Sequence, residues 1–127
     1  MDQNESLLAL MSAVARDPKA TSQPGWQKIV LVGEVDAQSA GVGGYSYDVD
    51  GRAQPVAATA PVVDLMEQLR DDMATASPTG RAWKACLLRL GSDGQVGADF
   101  EYDDDDRWAI TPANVATRIA EFRDLPV

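Results

Sequence analysis

The sequence predicts a single α+β domain, with three helices and an antiparallel sheet of four to five strands in the order α-βββ-α-ββ-α. Apolar residues recur at helical spacing near both ends and in the middle of the chain. Runs that alternate apolar and polar residues lie between them. Asp50-Gly51 and Asp93-Gly94 punctuate those runs as hairpin turns. A chain of 127 residues fits one hydrophobic core, so 1–127 reads as one domain without repeats.

Between about Asp2 and Ala15, the residues Leu7, Leu8, Met11 and Val14 mark an amphipathic first helix. The segment Arg16 to Gly25 carries two prolines and reads as a loop. Trp26 to Val35 is β-branched and apolar on both faces, the pattern of an interior strand covered on both sides for part of its length. Gly41-Val42-Gly43-Gly44 reads as a turn into the alternating strand Tyr45 to Val49. After Asp50-Gly51 a short strand near Arg52 to Val56 follows, and Pro55 assigns it to a sheet edge.

Pro61 suits the first turn of a second helix, whose stripe is Val62, Leu65, Met66, Leu69 and Met73 and which Ser77 to Gly80 ends. Trp83 to Leu90 and Gln95 to Tyr102 form the second hairpin. Thr111 is placed to cap a last helix with Pro112 at its first position and Val115, Ile119 and Phe122 inward. The three helices are expected mainly on one face of the sheet. The opposite face, carrying Asp48, Asp50, Asp99 and Glu101, is expected to be open and acidic.

The net charge of −9 opposes contact with nucleic acid phosphates and with an anionic membrane surface, and favours cationic partners. Without histidine, no Ser-His-Asp or Cys-His nucleophile can be assembled, and the usual zinc ligand sets are unavailable. The lone Cys86 permits no internal disulfide and reads as a small buried apolar residue. An acidic start and the lack of a long apolar run point to a cytoplasmic protein.

Charge concentrates from Asp99 to Asp106, with six carboxylates in eight residues. Asp99 and Glu101 lie on one face of the strand and Ala98, Phe100 and Tyr102 on the other. Asp103, Asp104, Asp105 and Asp106 then carry the charge past its end, and Trp108 follows. Such crowding is unfavourable unless cations usually sit against it, so these carboxylates are the candidate partner-binding residues, with Trp108 as a buried aromatic anchor. The opposing readings are a solvated loop and a Trp108 packed under the last helix.

The run lacks the ligand spacing and glycine of a calcium loop, and Asp48 to Gly51 has its glycine too early, so no metal site is assigned. Asp99 and Glu101 share one face where both ionise alike, so no catalytic pair is assigned and no cofactor is expected. Gly41 to Gly44 lacks the lysine and spacing of a phosphate loop.

Gly25-Trp26-Gln27-Lys28 leading into Leu31-Val32-Gly33-Glu34-Val35 opens a wider pattern. It continues with Tyr45 and Tyr47, Leu69-Arg70 and Met73, Trp83, Asp93-Gly94, and Asp99-Phe100-Glu101-Tyr102-Asp103. In order and spacing, over roughly residues 5 to 122, this resembles the YezG-like immunity proteins, antitoxins found beside bacterial polymorphic toxins. The resemblance implies a stoichiometric inhibitor that binds a toxin domain and blocks its active site. Many such toxins act on nucleic acids and are basic, which suits an acidic inhibitor. The alternative is a homo-oligomeric adaptor whose acidic face serves solubility, and a homodimer is compatible with either. A carboxylate enzyme or metal protein is the third reading.

Overall fold

The computed structural model describes residues 2–35, 38–104 and 106–127. Five strands, β1 (Trp26–Val35), β2 (Ala40–Asp48), β3 (Ala53–Ala57), β4 (Ala85–Gly91) and β5 (Val96–Glu101), form one antiparallel sheet in the order β3-β2-β1-β4-β5. Helices α1 (Gln3–Arg16), α2 (Ala60–Ala76) and α3 (Val115–Asp124) complete the α-βββ-α-ββ-α order. The twice-apolar β1 is central, and the Pro55 strand lies at an edge, as the sequence indicates.

The sheet separates two cores. On one face α1 and α2 pack Leu10, Val14, Met66 and Leu69 onto Ile29, Leu31, Leu88 and Leu90. Cys86 lies here, its thiol pushed up to about 12 by burial. Trp83 is fully buried in the same core, with its ring centroid 5.5 Å from that of Phe100. The other face is closed by α3, which brings Phe122 and Ile119 onto Val30, Val32, Tyr45, Tyr47 and Leu87. The expectation of three helices mainly on one face is corrected here: α1 and α2 share a face, and α3 covers the other. The second apolar face of β1 supplies the physical reason, because Val30 and Val32 need a cover of their own.

Asp17 is the hinge pin between the first two helices. Its buried carboxylate accepts from the N–H groups of Lys19 (2.8 Å), Ala20 (2.9 Å) and Thr59 (2.8 Å) and from the Thr59 hydroxyl. It therefore closes the end of α1 and sits at the positive end of α2. Burial pushes its pKa up, but the hydrogen bonds, led by the Thr59 hydroxyl, outweigh burial and hold it below the ordinary aspartate value. Ser6, also buried, donates to Asp72 and ties α1 to α2 at the other end.

Two local expectations change. Gly41 to Gly44 belong to β2 rather than to a turn, and a Cβ at Gly44 would collide with the Val30 carbonyl, so the glycine permits close strand contact. The last helix begins at Val115, not at Pro112. Asn114 accepts from Thr111 N–H at 2.7 Å and donates to the Ala109 carbonyl at 2.9 Å, closing a turn before the helix.

Candidate functional site

The acidic strand and the loop after it lie at the β5 edge of the sheet. Because Cys86 opposes Phe100 and Leu87 opposes Asp99, the β5 side chains alternate between the two faces. Ala98, Phe100 and Tyr102 pack towards α1 and α2. Asp99 and Glu101 point to the α3 face, as the alternation in the sequence requires.

Arginines of the same chain meet several of these carboxylates. Arg89, one strand in, reaches Asp99 with a 2.7 Å ion pair. A Cβ on Gly97 would lie 2.6 Å from the Arg89 guanidinium, so the bare glycine gives that side chain its path across β5. Asp99 nevertheless keeps 52% of its side chain exposed. Arg81 pairs with Asp103 and donates to the Tyr102 carbonyl at 3.0 Å, while Asp103 remains 78% exposed.

Glu101 differs from its neighbours. Its carboxylate accepts from the N–H groups of Asp103 (3.0 Å) and Asp104 (3.3 Å) and from Arg107 (2.9 Å), and only 16% of the side chain is exposed. The Asp103 N–H, followed by the Arg107 guanidinium and the Asp104 N–H, lowers its pKa below the ordinary glutamate value. Glu101 therefore organises the loop instead of facing a partner. Asp104 extends the scaffold by accepting from Asp106 N–H at 2.9 Å.

Trp108 is 7% exposed and packs in the second core, so it does not stand out as an interface anchor. The indole holds the loop against the domain, with the Arg107 guanidinium 4.8 Å from its ring centre. Arg118 of α3 completes the anchorage by donating to the carbonyls of Arg107 (2.8 Å) and Ala109 (3.1 Å). Asp103, Asp104 and Asp106 remain outward on this braced loop. Asp105 lies outside the described residues.

Asp48 does not join this surface. It accepts from the N–H groups of Asp50 (3.0 Å) and Arg52 (2.9 Å) and closes the β2–β3 hairpin, with Asp50 in the turn itself. The acidic sheet face expected from four carboxylates thus contracts to β5 and its loop. An open groove of about 540 Å³ adjoins that loop, floored by Val32, Gly43 and Tyr45 and rimmed by Glu34, Lys84 and Asp106.

A second acidic stripe escaped the sequence reading. Asp64, Glu67 and Asp71 are exposed along α2. Their i, i+3, i+7 spacing opposite the stripe of Val62, Met66 and Leu69 was the available signal. Arg70, the cation of that segment, is turned inward, donating to the Trp83 carbonyl at 2.6 Å.

Among the described residues no three cysteine or acidic side chains converge as a metal-ligand set. No helix among them is long and apolar enough to cross a membrane. No protein-family model matches the chain, and no curated protein matches it either.

Proposed function

We propose that this chain is a non-catalytic, cytoplasmic binding protein that neutralises a basic protein domain, acting as an immunity protein against a bacterial toxin. The resemblance to the YezG-like immunity proteins supports the class. The acidic loop supports the mode of action. Asp103, Asp104 and Asp106 are exposed on a loop that Glu101, Arg107, Trp108 and Arg118 already hold in place. That preorganisation carries the reading: a solvated charge run needs no such bracing, whereas a binding surface gains affinity when little ordering is left to do on contact.

Lysines and arginines lining a toxin's substrate groove would meet these carboxylates, so the inhibitor would imitate the charge of a polyanionic substrate and associate under electrostatic steering. The same charge disfavours direct contact with nucleic acid or an anionic membrane. The neighbouring gene supplies the test. The C-terminal domain of the polypeptide encoded directly upstream is expected to arrest growth when expressed, and co-expression of this chain is expected to restore growth. A harmless neighbour, or a toxic one that this chain fails to neutralise, would overturn the proposal.

A further inference from the structure

The two edges of the sheet are guarded differently. At the β3 edge, Pro55 lies opposite Tyr45, while Asp48 N–H donates to Arg52 and Ala58 N–H donates to Val42. Those bonds place the even-numbered residues of β2 and β3 in the inward ladder, so a residue at position 55 would point its N–H outward. Proline has none, and a strand arriving at this edge would find the donor missing.

β5 has no such block. Gly91 N–H donates to the Gln95 carbonyl at 2.8 Å, which sets the phase of the β4–β5 ladder. By the alternation of an antiparallel pair, Val96, Ala98 and Phe100 turn their N–H and C=O groups outward. β5 is last in the strand order, and no hydrogen bond from another described residue reaches those backbone groups. Arg81 takes the next outward carbonyl, that of Tyr102, and so marks where the open edge ends. On one side of this edge, Val96 is 43% exposed beside Ala98 and Phe100. On the other side stand Asp99 and the exposed Asp103.

We infer that the outer edge of β5, Val96–Phe100, receives an extended segment of a basic partner as a sixth, added strand. The inference rests on the reading that the acidic end of the sheet binds a cationic protein. Main-chain bonds to Val96, Ala98 and Phe100 hold the segment. Lysine or arginine at alternate positions faces Asp99, and apolar residues at the intervening positions cover Val96 and Phe100. Charge selects this occupant over a second copy of the chain. A two-fold antiparallel pairing of β5 with itself brings the two half-exposed Asp99 carboxylates side by side on one face, where like charges repel. The carboxylates thus discourage self-association and favour a cationic strand.

The test uses the full chain and two short peptides, one alternating lysine and valine and one alternating glutamate and valine, followed by residue-resolved amide exchange. The lysine peptide is expected to bind and to protect the amides of Val96, Ala98 and Phe100. Ala98→Pro removes an outward donor without touching the β4 ladder, and is expected to weaken that binding roughly tenfold. Amide protection in the unmodified chain reads the same edge even if that variant folds poorly. Failure of the lysine peptide to bind, or binding that leaves the three amides unprotected, overturns the added strand. If it binds elsewhere and loses affinity when Asp103, Asp104 and Asp106 become Asn, the cationic-partner reading stands without strand addition. Equal binding of both peptides overturns the charge reading as well.

Discussion

On one face of the sheet, two helices bury Leu10, Met66, Leu69 and Trp83 in an extensive aliphatic and aromatic core. On the other, the ten-residue α3 inserts Phe122 and is then secured by polar links. The Tyr47 hydroxyl donates to the Ile119 carbonyl at 2.8 Å, and Lys28 donates to the carbonyls of Arg123 and Leu125. Arg123 in turn donates to the Gly51 carbonyl at 2.9 Å. The first face rests chiefly on apolar burial, with Asp17 and the Ser6–Asp72 bond fastening its two helices at their ends. The second combines a smaller core with cations placed on carbonyls near a helix C-terminus, where the macrodipole favours positive charge. The acidic loop is fastened to that second face through Trp108 and Arg118, so the proposed binding surface depends on the smaller core.

Substitutions in the two cores should separate these faces. Trp83→Ala is expected to cost about 4 kcal/mol and to lower stability throughout the domain, as a denaturant melt would show. Trp83→Phe should be far milder, because the buried Trp83 Nε1 has no hydrogen-bond partner among the described residues. Phe122→Ala is expected to cost about 3 kcal/mol, but locally, freeing α3 and residues 106–110 while the α1/α2 core stays protected in hydrogen exchange. Equal loss of protection on both faces after Phe122→Ala would show that the cores do not separate.

Asp17→Asn tests the junction of the larger face. It is expected to remove about 2 kcal/mol at neutral pH, since the amide replaces a charged acceptor of several N–H groups. The Asp17 carboxyl titrates lower in the folded chain than in the unfolded one. On acidification the unfolded chain therefore takes up the proton first, and the stability contributed by Asp17 is lost as pH falls below about 4. The variant should show a flatter acid decline, and an unchanged slope would remove Asp17 from that role. The smallest effect belongs to Tyr47→Phe, expected to cost about 1 kcal/mol through the lost bond to Ile119. Faster exchange confined to α3 would confirm where that bond acts.

Much of this fold was legible in the sequence because each element follows one periodicity. The stripe of α2, the central β1, the edge position of Pro55 and both hairpins follow from spacing and turn residues alone. The place of α3 was less legible. Val30 and Val32 demanded cover on the second face of β1, but the sequence did not say which helix would supply it. Gly41 to Gly44 looked like a turn because glycine marks both turns and close strand contacts, and only the nearby Val30 carbonyl distinguishes the two.

At the candidate site, the strand parity of Asp99 and Glu101 could be read from alternation. The arginine partners of Asp99 and Asp103 could not, because Arg89 and Arg81 come from other segments and meet these acids only through the fold, whereas Arg107 reaches Glu101 from within the same loop. The same limit applied to Trp108, whose burial under α3 is a tertiary outcome.

The most direct measurement is the association rate of the neighbouring toxin domain with this chain across salt concentrations, compared with a variant in which Asp103, Asp104, Asp105 and Asp106 are all Asn. The account predicts a rate that falls steeply with salt for the native chain, and a slow, nearly salt-independent rate for a variant of equal thermal stability. Parallel salt dependences for the two would contradict it and return the acidic loop to a merely solvated surface.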